Sequence, residues 1–302
     1  MTNKSVAQIC AIAAVVIMPS LSWAGTTSKT VAPKAAAPAP EKLNESFITG
    51  DLGLNVVSAY YFHGVLQNNH SASYQPYADI FLKAYEGDGF LNKAVFGLGL
   101  WESYTDASTI GKNKQSYKKY SGGTNSPWFE HDVTPSVALS FGKVTLTETY
   151  QFFSSPNNQF ADSQALNSKL SFDDSDLLGA LALHPSVSMT HELDGKQANS
   201  TASKHGNYWE GAVAPSYSAG PVTLTLPLVV GVGSDGYYQK NGYGFFSAGL
   251  NVAYTLPISK SYGTWTANAG ATYYTLDNKV VGNGNNNANR DVVAQGGLGV
   301  TF

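Results

Sequence analysis

Residues 144–154 read VTLTETYQFFS. Val144, Leu146, Tyr150 and Phe152 fall on one side of a two-residue repeat, and Thr145, Thr147, Thr149 and Gln151 fall on the other. A helix would gather its apolar residues about every 3.6 positions, whereas a strand sends successive side chains to opposite faces. The stretch therefore reads as a strand with one greasy and one polar face.

The pattern recurs along the chain. Val222, Leu224, Leu226, Leu228 and Val230 oppose Thr223 and Thr225. Phe246, Ala248, Leu250, Val252 and Tyr254 oppose Ser247, Gly249 and Asn251. Trp265, Ala267, Ala269, Ala271 and Tyr273 oppose Thr264, Thr266, Asn268 and Thr272. About twelve such segments lie near 50–62, 72–84, 94–104, 129–141, 144–154, 164–173, 181–192, 207–218, 222–233, 243–256, 263–276 and 292–302. Each is about ten residues or slightly longer, the length of a tilted strand crossing a bilayer. Connections alternate between short turns, such as Gly142-Lys143 and 219–221, and long polar loops at 105–128, 193–206 and 277–291. An even strand number with alternating long and short connections predicts a closed antiparallel transmembrane β-barrel of about twelve strands, with both ends on the periplasmic side.

The ends of the chain fit export. Lys4, the apolar run Ile9–Met18 and Ser22-Trp23-Ala24 read as a signal peptide over 1–24, because the run is too short for a spanning helix. Cys10, the single cysteine, lies within it, so no disulfide or cysteine metal site is expected in the mature protein. Residues 25–48, rich in Pro and Ala, read as a disordered periplasmic tether, and 49–302 as the barrel. At the other end, Gln295, Gly297, Val300 and Phe302 resemble the C-terminal strand signal read by the barrel-assembly machinery. The expected location is the bacterial outer membrane, with its lipid and lipopolysaccharide as surroundings.

Charged residues make up 13% of the chain, with a net charge of −3 and Arg290 as the only arginine. That balance gives no support for nucleic-acid binding. Aromatic residues gather at segment ends. Tyr60, Tyr61, Phe62, Trp101, Tyr104, Trp128, Phe129, Phe152, Phe153, Tyr208, Trp209, Tyr243, Phe245, Tyr273 and Tyr274 are expected in an outer girdle. Tyr85, Phe141, Phe172, Tyr217, Tyr254, Trp265 and Phe302 are expected in a periplasmic one. Two features run against the pattern. Pro76, Pro135, Pro185, Pro215 and Pro227 cannot donate to a ladder and require bulges or breaks. Glu148 falls on the lipid face by strict alternation, and a bulge or a contact with another protomer would relieve it.

Ser58-Ala59-Tyr60-Tyr61-Phe62-His63-Gly64, followed by Gln67 and Gln75-Pro76, resembles the first hairpin of the TorF-like family of porins. That family reads Ser-x-Tyr-x-Phe-Arg-Gly here, so His63 replaces its arginine. The resemblance covers this hairpin alone and implies passive transport.

No catalytic, cofactor or metal site is expected. His184-Pro185-Ser186 places a histidine and a serine on one strand face but at the periplasmic end and without a third member. His70-Ser71 and His131-Asp132 are adjacent pairs pointing to opposite faces. Asp173-Asp174-Ser175-Asp176 lacks the glycine and terminal glutamate of a calcium loop and reads as a solvated turn. Asp79, Lys83, Lys169, Glu192 and Glu210 are the charged candidates to line the lumen, and their mixed signs predict weak charge selectivity. Lys112, Lys114, Lys118 and Lys119 make 105–128 read first as a solvated loop, with an inward fold as a constriction or a contact with lipopolysaccharide as the alternatives. With no obvious plug domain, the leading expectation is a passive channel for small hydrophilic solutes. The alternatives are a non-transporting barrel acting through its outer loops and, third, a lipid-modifying enzyme.

Overall fold

The computed structural model describes residues 47–69, 71–105, 126–179, 182–194, 205–238, 241–277 and 289–302. The signal, the tether to residue 46, His70, the four loop lysines and the asparagine tract 283–287 lie outside the described residues. In chain order the strands are β1 (Ile48–Val57), β2 (Tyr60–Phe62), β3 (Val65–Asn68), β4 (Ser73–Glu86), β5 (Lys93–Tyr104), β6 (Trp128–Phe141), β7 (Val144–Ser154) and β8 (Ser163–Phe172). Then come β9 (Ser186–Glu192), β10 (Asn207–Val213), β11 (Ser216–Ala219), β12 (Val222–Thr225), β13 (Leu228–Gly233), β14 (Gly242–Thr255), β15 (Thr264–Leu276) and β16 (Arg290–Thr301). Two one-turn helices, α1 (Ser175–Leu178) and α2 (Asp235–Tyr238), interrupt the connections.

All neighbouring strands pair antiparallel, and the wall closes where β14 meets β15 and β16 meets β1. The last residue takes part: Phe302 and Gly50 exchange backbone hydrogen bonds of 2.9 Å in both directions. β10 and β11 are two halves of one wall strand, as are β12 and β13. Counting each pair once, the described residues form a closed barrel of twelve strands.

The prolines account for the breaks. Pro215 and Pro227 sit at the two gaps, which lie side by side, with Leu226 N donating to Pro215 O at 2.9 Å. Pro185 precedes β9. Pro76 and Pro135 stay in register with Leu54 and Leu98, but the ladder on their other side skips them. Proline has one carbonyl and no N–H, so it can serve one neighbour and not both.

The faces are inverted relative to a water-soluble sheet. Ile80 is 55% exposed and Leu250 50%, both pointing outward, while Gln151 and Asn268 on the inner face are fully buried. Leu52, Leu54, Phe96, Leu98, Leu166, Leu170, Met189 and Leu298 continue the outer band. Hydrocarbon is the environment that favours this surface, at roughly 1.5–3 kcal/mol per large apolar side chain withdrawn from water.

Two expectations are corrected. The first strand ends at Val57 rather than near residue 62, and 58–69 turns inward to form the small β2–β3 sheet, separate from the wall. An internal plug therefore exists. Second, nine of the fifteen aromatics assigned to the outer girdle face inward and are buried: Tyr60, Tyr61, Phe62, Trp101, Phe129, Phe153, Tyr208, Phe245 and Tyr274. Adjacent aromatics in a strand point to opposite faces. Thus Phe152, Trp209 and Tyr273 remain outside while Phe153, Tyr208 and Tyr274 point in. Tyr104, Trp128 and Tyr243 also stay on the outer surface.

Candidate functional site

The outer half of the lumen is packed shut. The β2–β3 hairpin turns through His63 and Gly64, whose φ angles are 47° and 78°. Positive φ at both central residues is what a two-residue hairpin turn with the strands' own twist requires, and glycine supplies it without strain. Around the tip, Tyr60, Tyr61, Phe62, Val65 and Leu66 join inward residues of the wall and α2 in one apolar cluster. Phe62 meets Phe153 with ring centroids 5.5 Å apart, Tyr60 meets Trp101 at 5.4 Å, and Tyr61 stacks on Tyr274 at 4.9 Å.

His63 sits at the centre of this cluster. Its ring stacks on Phe62 at 4.1 Å and on Tyr208 at 3.8 Å. Its Nδ1 shares a hydrogen bond with the Tyr237 hydroxyl, and Tyr238 donates to its carbonyl at 2.5 Å. Burial pulls the imidazole down to about 3, so it is neutral at physiological pH. Further polar ties join the hairpin to the wall, among them Ser58 N donating to Ala294 O at 2.8 Å, the Tyr61 hydroxyl donating to Asp291 at 2.5 Å, and Asn68 Nδ2 donating to Thr105 at 2.8 Å.

The inner half is different. Inward-facing Ala138, Ser140, Thr145, Thr147, Ser171, Ser188, Ser218, Thr223 and Thr266 are all partly exposed, whereas Ser103, Thr149, Asn167, Thr190, Ser247 and Thr272 nearer the outer end are buried. Mainly on the β6–β12 side this leaves a polar vestibule toward the periplasmic turns, blind at the plug, while Asp51 and Asp79 on the opposite wall are buried at that depth.

Each of the five sequence-derived lumen candidates lies on the inner face. Asp79 is 6% exposed and stands opposite Asp51 across β1 and β4. Lys169 and Glu210 flank Ser188 across β8, β9 and β10, and Tyr208 donates to Glu210 at 2.7 Å. Glu192, at the end of β9, is fully buried and accepts from Gly206 N at 2.8 Å. Lys83 lies near the periplasmic rim, 2.5 Å from Glu86. Sequence reasoning missed three further inner carboxylates, Asp51, Glu130 and Asp132. Strand alternation alone would have found Asp132, two residues from the inward Thr134.

The other chemistry-bearing residues are in structural roles. Asp174 accepts from the backbone N–H groups of Leu183 and His184 at 2.9 Å each, and Asp173 accepts from Ser175 N at 3.0 Å. Those Ser175 hydrogen bonds hold Asp173 below the usual carboxylate range. Asp174 is buried, so the expected solvated turn is partly a packed one. His184, with φ of 48°, places Nδ1 3.7 Å from Asp174, but its Nε2 is buried without a hydrogen-bond partner, so Ser186 is not engaged. His131 faces out and meets Glu102 at 2.8 Å, on the opposite face from Asp132. Among the described residues no group of three His, Cys, Asp or Glu side chains is arranged to hold a metal ion.

No family model and no curated protein matches the chain. Solved structures with a similar backbone include the translocator domain of the autotransporter NalP from Neisseria meningitidis, at 11% identity, TM-score 0.41, and coverage of 86% of this chain and 90% of that one. The outer membrane phospholipase A of Escherichia coli is 13% identical, with TM-score 0.41 and coverage of 83% and 91%. The outer membrane channel DcaP of Acinetobacter baumannii is 9% identical, with TM-score 0.36 and coverage of 84% and 96%. The barrel assignment rests on this chain's own closed ladder rather than on these likenesses. A closed antiparallel barrel with an apolar outer band is an outer-membrane architecture. The chain is a multi-pass β-barrel of the bacterial outer membrane.

Proposed function

We propose that the barrel is a passive channel for small hydrophilic solutes, closed at rest by the β2–β3 hairpin. The observation that carries this reading is the separation of plug and wall: the hairpin forms its own two-stranded sheet with no ladder to the barrel. It can leave the lumen without breaking the wall, and behind it lies a polar vestibule. The stretch resembling the TorF-like porins, 58–64, is the plug itself. Asp51 and Asp79 stand opposite one another on the inner face, alongside Lys83 and Lys169. A modest preference for cations is the expected result, within the weak charge selectivity that the mixed signs predict. On the same reading Gln295, Gly297, Val300 and Phe302 form the strand handed to the assembly machinery, where β16 closes the wall.

Single-channel recording of the refolded chain tests the proposal. Infrequent steps in the wild type, frequent steps once the hairpin is loosened, and a reversal potential displaced toward the cation support it. No steps in either protein end it. The second reading, a non-transporting barrel acting through its outer loops, is favoured by how tightly the hairpin packs, and an unbroken closed state would establish it.

A further inference from the structure

We propose that two copies of this chain associate within the membrane through the outer face of β7 and β8, with Glu148 at the centre of the contact. Glu148 occupies the fifth of eleven positions in β7, between the outward residues Leu146 and Tyr150. The register Val137, Glu148, Ser168, Met189 runs across β6 to β9 and places it in the middle of a four-strand face. No bulge turns it inward, since β7 pairs β8 without a register shift. Ser168 Oγ donates to its Oε2 at 2.7 Å.

One donor does not satisfy a carboxyl group with two oxygens. Lipid chains offer it nothing, and an unsatisfied polar group in hydrocarbon is costly. A cation does not neutralise it either, because the described outward residues of β6 to β9 include no lysine or arginine. A second copy does offer a partner. An interface about a two-fold axis presents the same patch from both sides. Two facing Glu148–Ser168 pairs bring hydroxyl and carboxyl groups together at one depth, where each side chain can reach hydrogen-bonding groups of the other copy. Val137, Leu146, Leu166, Leu170 and Met189 surround the pair with aliphatic surface. A central polar pair ringed by apolar contacts that exclude water is the arrangement in which such a pair specifies a contact.

The full chain, with Cys10→Ser, is reconstituted in phospholipid vesicles carrying single cysteines at Leu146→Cys or, on the far side of the barrel, Leu54→Cys. Oxidative cross-linking is read on a gel, and proximity is read independently by energy transfer between dye-labelled copies. The proposal expects dimers at position 146 and none above background at 54. Glu148→Leu, folded as judged by the shift between boiled and unboiled samples, should lower the energy-transfer association constant at least tenfold, while Glu148→Gln should retain most of it. Equal cross-linking at both positions, or no association in the wild type, overturns the proposal. So does an association that Glu148→Leu leaves unchanged. None of these outcomes depends on conductance, so the proposal stands or falls apart from the channel reading.

Discussion

Gly64→Ala tests whether the hairpin is a separable plug. The φ of 78° at Gly64 is a conformation that costs a residue with a Cβ about 1–2 kcal/mol. The added carbon would also lie 2.5 Å from Cδ1 and 3.0 Å from Cγ of Phe245. Phe245 is fully buried and backs onto Gly231, so its ring has nowhere to retreat. Overpacking of that kind costs about 1–3 kcal/mol. Both penalties act on the docked hairpin and vanish when it leaves, because the undocked turn is free to change its dihedrals. Together they come to about 2–5 kcal/mol; at roughly 3, the ratio of docked to undocked hairpin falls about 100-fold. The wall ladder is untouched, so the boiled and unboiled samples should still separate on a gel. Single-channel recording at matched protein amounts should show about 100 times more frequent openings, and protease should cut within 58–72 in intact vesicles. A folded variant with wild-type opening frequency and wild-type protease resistance would refute the reasoning.

Tyr238→Phe removes the hydrogen bond to the His63 carbonyl, worth about 0.5–1.5 kcal/mol, and should raise opening frequency about 2- to 12-fold in the same recordings. Acid should loosen the plug. The His63 value falls from 6.5 to about 3 on docking, so docking is at full strength above 6.5 and weakens by about 1.4 kcal/mol for each pH unit below it, down to about 3. Between pH 7.5 and 4.5 the openings should rise about 100-fold, and His63→Gln should flatten that rise; a wild-type profile level across the range would contradict it. In the Gly64→Ala background, Asp51→Asn with Asp79→Asn should move the reversal potential in a salt gradient toward zero. Leu250→Arg puts a charge on the lipid face and should cost about 2–4 kcal/mol in denaturant unfolding from vesicles, whereas Thr223→Lys on the open inner face should cost less than 1 kcal/mol.

The closed barrel and its strand number were legible because a period of two assigns every wall residue to a face. The plug was not. Tyr60, Tyr61 and Phe62 continue the alternating greasy character of β1, so nothing local marks the chain's turn away from the wall after Val57. The signal that does exist is His63-Gly64, a two-residue turn flanked by apolar residues, and it reads as a hairpin only if the preceding segment is allowed to stop early. The doubled aromatics Phe152-Phe153, Tyr208-Trp209 and Tyr273-Tyr274 carried the same information. One ring of each pair has to point into the lumen, and large rings on an inner face need something apolar to pack against. Glu148 was legible as an anomaly, but its hydrogen bond to Ser168 depends on the register between β7 and β8, which one strand's pattern does not contain.

Accessibility along β14 tests the inside-out barrel most directly. Single cysteines from 246 to 254, in a chain carrying Cys10→Ser, are labelled with a small fluorophore and reconstituted with lipids brominated at mid-chain. Quenching should be strong at Phe246, Ala248, Leu250, Val252 and Tyr254 and weak at Ser247, Gly249, Asn251 and Ala253. Quenching without that alternation, or strongest at Ser247 and Asn251, would contradict a wall whose apolar face meets lipid.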